Sequence, residues 1–223
     1  MVEGTHFLRA TPRQIGHKAM GKPLSDFAAM GCAPSFALAA VSLPRRTTQR
    51  AARGIYLGME ALARRFRVRL VGGDVVVTRG PLAVTVSVIG EATRRPVRRS
   101  GALPGDVICV TGPLGAGRHL SFIPRIREGI ALNRAGVHAM IDITDGLVRD
   151  LGHVCRASGV GADLFRVPRV GSLRRALYGG EDFELLFAAK SARCMPIGTF
   201  VRRRGIRLDG RPLADRGYEH SFG

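Results

Sequence analysis

The stretch Ala139-Met-Ile-Asp142-Ile-Thr144-Asp145-Gly-Leu-Val-Arg-Asp150-Leu-Gly-His153-Val154 limits the fold most, because an apolar run gives way to a helical pattern across two carboxylates and a hydroxyl. Met140, Ile141 and Ile143 read as a short strand, and after Gly146 the residues Leu147, Leu151 and Val154 recur at helical spacing, so the segment is strand, turn and helix. Asp142 and Asp145, on either side of Thr144, therefore stand at a strand end and a helix start. Two roles are open to Asp145 there: capping the helix by accepting backbone N–H bonds, or holding Mg²⁺ beside phosphates that rest on the helix N-terminus.

Other acids occupy comparable places. Thr11-Pro12, an N-cap and first-turn pair, opens a helical pattern through Ile15, Ala19, Leu24, Phe27 and Ala28, with an interruption expected near Gly21 and Pro23. Within it, Ser25-Asp26 either starts a second helix or presents a ligand. Ser35 to Leu43 reads as a buried strand ended by Pro44, and Thr47-Thr48 opens an amphipathic helix through Ala52, Ile55, Tyr56, Met59 and Leu62 to about Phe66. Val68 to Val71 is a strand ending in Gly72-Gly73-Asp74, where the glycines let backbone approach a ligand closely or simply make a turn. Leu82 to Ile89 alternates as a further strand.

Between Glu91 and Asp106 the chain turns polar and basic, and a domain boundary is expected there, dividing it into residues 1–95 and 96–223. Val107 to Val110 is a strand followed by the glycine-rich turn Thr111-Gly112-Pro-Leu-Gly115-Ala-Gly117, which lacks the Gly-Lys-Ser/Thr ending of a P-loop. Gly179-Gly180-Glu181-Asp182-Phe183-Glu184 puts three acids on the approach to the strand Leu185-Leu186-Phe187; the turn can aim one carboxylate, Glu181, at a ligand, or leave it solvated. Before the last strand come Ile197-Gly198 and the arginine-rich Arg202 to Arg207. The sum is an α/β chain with mixed sheets backed by helices at 12–30 and 47–66.

Composition decides between partners. The net charge of +18 suggests an anionic one, yet all but Lys18, Lys22 and Lys190 of the 35 basic residues are arginine, scattered through every segment. That scatter fits a coding bias as well as a binding face, and no RNA- or DNA-binding motif accompanies it, so nucleic acid is not the expected partner. Cys32, Cys109, Cys155 and Cys194 make no C-x-x-C or Cys/His metal spacing and read as buried thiols in a reducing compartment. With no run of about 18 apolar residues and no charged-then-apolar opening, the expected location is the cytoplasm.

The order of the pieces is informative. Val2-Glu-Gly-Thr-His6-Phe7, Leu24-Ser-Asp26-Phe-Ala-Ala-Met-Gly31, Val71-Gly-Gly-Asp74, Arg99-Ser-Gly-Ala-Leu-Pro-Gly-Asp106, Val110-Thr-Gly112, Ile141-Asp-Ile-Thr-Asp145-Gly-Leu147, Gly179-Gly-Glu181-Asp-Phe-Glu-Leu185 and Gly217-Tyr218-Glu-His220 together resemble thiamine-monophosphate kinase, from residue 1 to about 220. The resemblance sets the chain in the superfamily of aminoimidazole-ribonucleotide synthase, selenophosphate synthetase and a hydrogenase-maturation protein, and implies their two-domain fold. It implies direct transfer of the ATP γ-phosphoryl to thiamine monophosphate, giving thiamine diphosphate without a phospho-enzyme. Several Mg²⁺ ions would neutralise the two anions. By the same resemblance Asp26, Asp74, Asp142 and Asp145 are Mg²⁺ ligands, with Asp145 catalytic; Tyr56, Gly73, Asp74, Arg99 and Thr144 face ATP; His6, Glu181 and Tyr218 face thiamine phosphate; and two N-terminal sheets pair into a homodimer. The family pattern also carries a Gly-Asp-Asp-Ala-Ala segment and a Thr/Ser-Asp pair ahead of Val2, both supplying metal ligands. Neither is in the sequence, and the stretches Gly115 to Arg127 and Glu184 to Tyr218 are shorter than the family's. The expectation is therefore either a chain that starts part-way into its gene or a degenerate, non-catalytic nucleotide- or RNA-binding relative.

Overall fold

Thr11 and Pro12 open helix α1 (Pro12–Met30) through a capping box: the Thr11 hydroxyl accepts from the Gln14 N–H, and the Gln14 carboxamide accepts from the Thr11 N–H at 2.9 Å. Gly31, at φ 65°, closes it. In this computed structural model, which describes residues 1–92, 94–191 and 195–218, the expected break near Gly21 and Pro23 does not occur. The helix runs through Pro23, so Ser25 and Asp26 lie within it and start no second helix. Proline lacks the N–H of one intrahelical bond, but Met20, Leu24 and Ala28 on the same helix are fully buried, and that packing holds the turn.

The helix α2 (Gln49–Arg65), capped by Thr48, matches its sequence pattern, while the strand β1 (Ala33–Pro44) forms where expected but buries only one face, leaving Leu38 and Ala40 exposed on the other. Gly16 and Gly58 bring α1 and α2 into backbone contact: a Cβ at Gly16 would lie 1.9 Å from the Ile55 carbonyl oxygen, and one at Gly58 2.1 Å from that of Arg13. The strand β2 (Arg69–Thr78) departs from expectation, continuing through Gly72-Gly73-Asp74 to Thr78. It pairs parallel to β1 with a bulge after Leu70, and Gly73, at φ 153°, sits so close to β1 that a Cβ would meet the Ala39 oxygen at 1.8 Å. The glycines thus serve strand pairing. β3 (Ala83–Glu91) completes a three-stranded sheet in the order β2-β1-β3, and Val2 makes an isolated bridge to its first residue, Ala83.

Beyond the basic stretch lies a seven-stranded sheet, built from β4 (Val107–Val110), β5 (Ala139–Asp142), β6 (Gly161–Leu164), β7 (Leu185–Ala189), β8 (Met195–Val201), β9 (Ile206–Leu208) and β10 (Arg211–Pro212). Its order is β10-β9-β6-β8-β4-β7-β5. Helices α3 (Ile126–Arg134), α4 (Leu147–Ser158) and α5 (Leu173–Tyr178) accompany it. One apolar core, with Leu147, Leu151, Ile197 and Phe200, belongs to this sheet alone. The other is shared: Met20, Leu24, Ala37 and Met59 pack in one cluster with Cys109, Met140, Leu185 and Phe187. The helix α1, which contacts α2, α3, β3 and β5, is its centre.

Cys32, Cys109 and Cys155 are buried and not in disulfides, and Cys194 lies outside the described residues, as do Glu219 and His220 of the Gly-Tyr-Glu-His piece. Among the described residues no helix is long and apolar enough to cross a membrane.

Candidate active site

The continuous α1 aims Lys22 and Asp26 at the C-terminal end of β5, and together with the turns that follow they enclose a cavity of about 370 Å³. Its walls hold Asp26, Asp142, Thr144 and Asp145 with His6, Glu181 and Tyr218, so seven of the residues singled out from sequence meet in one place. Asp142, 4% exposed, accepts a 2.6 Å hydrogen bond from the buried Ser25 hydroxyl. Burial pushes the Asp142 carboxyl up, and burial together with the Asp142 charge raises that of Asp26 to about 6. Acids so placed favour a proton or a cation between them.

The capping role open to Asp145 is not what forms. The residue before α4 is Gly146, at φ 113°, and no side chain caps the helix there. Instead the Asp150 carboxylate, reaching back from the first turn, accepts the N–H groups of Thr144 at 2.9 Å and Asp145 at 3.0 Å. Burial above all pushes Asp150 up to about 7. With its turn held by Asp150, the Asp145 side chain is left to the cavity.

Glu181 is not a solvated turn acid. Positive φ at Gly180, Glu181 and Phe183 (66°, 54° and 54°) folds a tight reversal, held by the Glu181 N–H on the Thr144 oxygen at 2.8 Å and the Phe183 N–H on the Ile143 oxygen at 2.9 Å. The fully buried Lys18 ammonium pairs with Glu181 Oε1 at 2.5 Å and donates to the His6 carbonyl at 2.7 Å, while His119 Nδ1 lies 2.9 Å from Glu181 Oε2. Burial, partly offset by Glu181, lowers the Lys18 pKa. The two other acids of this segment are structural. Glu184 takes the Arg125 guanidinium at 2.8 and 2.5 Å and the Thr111 hydroxyl at 2.6 Å. Asp182 accepts the Gly115 N–H at 2.7 Å, so that donor of the glycine-rich turn is already taken.

Lys18, His119 and Asp150 had no signal of their own in sequence, since each matters only through a partner distant in the chain or through a turn geometry. Four expected residues, Tyr56, Gly73, Asp74 and Arg99, do not line this cavity. Tyr56, Gly73 and Asp74 line a separate, largely apolar hollow of about 490 Å³ between α2 and the sheet. Asp74 is exposed, and its Oδ1 accepts the N–H of Val75 at 2.9 Å. Arg99 lines a third hollow that shares Asp26 and Asp142 with the acidic cavity, and its charge tempers the rise in both their pKa values.

Residues 1–92 match the family described as AIR synthase related protein, N-terminal domain. A thiamine-monophosphate kinase from Rhodopirellula baltica is 38% identical over 195 residues, which cover 78% of this chain and 60% of that protein. For the thiamine-monophosphate kinase of Salmonella typhimurium the identity is 37% over 244 residues, covering 92% of this chain and 74% of that one. Among solved structures, AaThiL complexed with AMPPCP and TMP superposes with a TM-score of 0.90 at 27% identity, covering 99% of this chain and 85% of the other.

Proposed function

The chain belongs to the thiamine-monophosphate kinase family, and from that membership we propose that it transfers the γ-phosphoryl group of ATP to thiamine monophosphate, giving thiamine diphosphate. The observation that supports this most is the single cavity in which Asp26, Asp142, Asp145 and Thr144 face His6, Glu181 and Tyr218. One set is a group of hard oxygen donors and the other suits an organic cation. The similar AaThiL is known complexed with AMPPCP and TMP.

The donor set fits Mg²⁺: three carboxylates crowd one cavity, and burial and mutual repulsion raise the proton affinity of Asp26. Asp26, Asp142 and Asp145 would hold the ions, which when bound supply neutralisation of the two phosphates. The remaining work falls to the chain itself. Asp150 fixes the backbone of Thr144 and Asp145, which sets where their side chains stand. Ser25 orients Asp142. Lys18 and His119 hold the Glu181 carboxylate at the cavity wall, where it faces the positive thiazolium of the acceptor.

Tyr56, Gly73 and Asp74 enter the same reading through a second copy. Val71, Val75 and Val77 of β2, the edge strand of its sheet, are 58%, 64% and 68% exposed. An apolar strip of that kind asks for cover. We take it as the homodimer face, with the hollow around Asp74 bordering it. The same reading keeps the domain boundary near residue 95 and the cytoplasm as location.

The test is turnover and binding on the same preparations. Wild-type protein with Mg·ATP should convert thiamine monophosphate to the diphosphate, and Asp145→Asn should lower kcat by about a hundredfold or more while its thermal melt stays cooperative. Unaltered turnover in Asp145→Asn, or a wild type that binds neither AMPPCP nor thiamine monophosphate, would sink the assignment.

A further inference from the structure

We propose that Lys22 is the group that binds the phosphate of the acceptor, an inference that rests on the phosphotransfer reading above. Only three of the 35 basic residues in this chain are lysine, yet two of them sit one helical turn apart on α1, Lys22 lining the acidic cavity and Lys18 buried behind its Glu181 wall. Their situations differ. The Lys18 ammonium is fully buried and its charge is met by Glu181 at 2.5 Å, with the His6 carbonyl at 2.7 Å. Lys22 lines the cavity and makes no hydrogen bond or ion pair among the described residues. One lysine is committed to the protein and the other is available to a ligand.

The surroundings of Lys22 indicate which ligand. Lys22 lines one cavity with both His6 and Asp26, and after burial its charge is the strongest influence holding the His6 pKa below its ordinary value. Lys22 therefore shares its cavity with a residue of the acceptor side and one of the metal-binding side at once. An acceptor phosphate has to lie between those two sides, because its own thiamine moiety occupies the first and the incoming phosphoryl group the second. A phosphate entering this cavity meets the carboxylates of Asp26, Asp142, Asp145 and Glu181. An ammonium on a flexible stem offers it three donors and a compact charge that can follow the oxygens. Arg99, by contrast, lines a separate hollow that also reaches Asp26 and is absent from this cavity's walls.

The experiment compares three ligands by calorimetry in the presence of Mg²⁺: thiamine monophosphate, thiamine, which has the same rings without the phosphate, and AMPPCP. Lys22→Met should weaken thiamine monophosphate binding about tenfold to a hundredfold, the range for one lost hydrogen bond to a charged group. Affinities for thiamine and for AMPPCP should stay within about threefold, and Lys22→Arg should recover most of the loss. Equal loss for thiamine monophosphate and thiamine, or loss for AMPPCP, or no loss at all, overturns the proposal while leaving the kinase reading intact. A wild type that does not bind thiamine monophosphate removes both. Should the methionine variant lose its cooperative melt, Lys22→Gln takes its place in the same comparison.

Discussion

Asp182 carries an oxygen, Oδ2, that is buried without a hydrogen-bond partner among the described residues, while Oδ1 accepts from Gly115. Burial, with the Glu184 charge assisting, raises its pKa from 3.8 to about 6. The folded state thus holds this proton over a range where the unfolded chain has released it, so its contribution to stability is full below pH 3.8 and lost as pH rises through 6. Asp182→Asn should remove that loss, gaining ~1–3 kcal/mol over wild type at pH 8 and little at pH 4. Urea denaturation of both proteins at the two pH values checks it, and a difference that does not change with pH would refute it. Asp182 shows also what could be read beforehand: three acids before a strand were visible in sequence, but not that one would face a lysine, one a backbone amide and one an arginine. Those assignments depend on Lys18, Gly115 and Arg125, distant in the chain. Asp142 and Asp145 were legible because they stand at a strand end and in the turn before a helix, Asp26, inside α1, was singled out through the family resemblance, and Asp150 was hidden by a reach-back that only the turn creates.

Helices α1 and α2 touch backbone to backbone where Gly16 meets Ile55 and Gly58 meets Arg13. Neither contact can admit a methyl group without parting the helices, because what the new Cβ would strike is a main-chain carbonyl. Gly58→Ala should therefore lower stability by about 2–3 kcal/mol although alanine is the better helix former. Thermal and urea melts measure this, and an unchanged or raised midpoint would show that the pair can separate freely. The ends of these helices were legible from Thr11, Pro12, Gly31 and Thr48, since capping is local chemistry. Their interiors were not. Pro23 reads as a break, and Gly72-Gly73 as a strand end, because each is judged by local preference; tertiary contact decides otherwise, through buried Leu24 in one case and the Ala39 carbonyl in the other.

For the whole molecule, the proposed homodimer would cover the exposed Val71, Val75 and Val77 with a second copy. If so, the wild type should be a dimer at micromolar concentration and Val75→Asp together with Val77→Asp a folded monomer, as read by light scattering on a sizing column. A monomeric wild type would remove the dimer and, with it, the route by which Tyr56, Gly73 and Asp74 join the reaction. The two sheets were foreseeable from the basic stretch between Glu91 and Asp106, but the sharing of one core between them was not, since nothing local in the pattern of Met140 or Phe187 tells which helix will cover it.

That shared core also bears on how such a protein can be altered by recombination. Severed near residue 95, the C-terminal piece would carry Cys109, Met140, Leu185 and Phe187 without the helix that covers them, and the N-terminal piece would keep Lys18, Lys22 and Asp26 facing nothing. The halves look modular when the strands are counted, yet they are not interchangeable parts. A chimera that exchanges one sheet must carry α1 and the opposing face of β5 and β7 along with it.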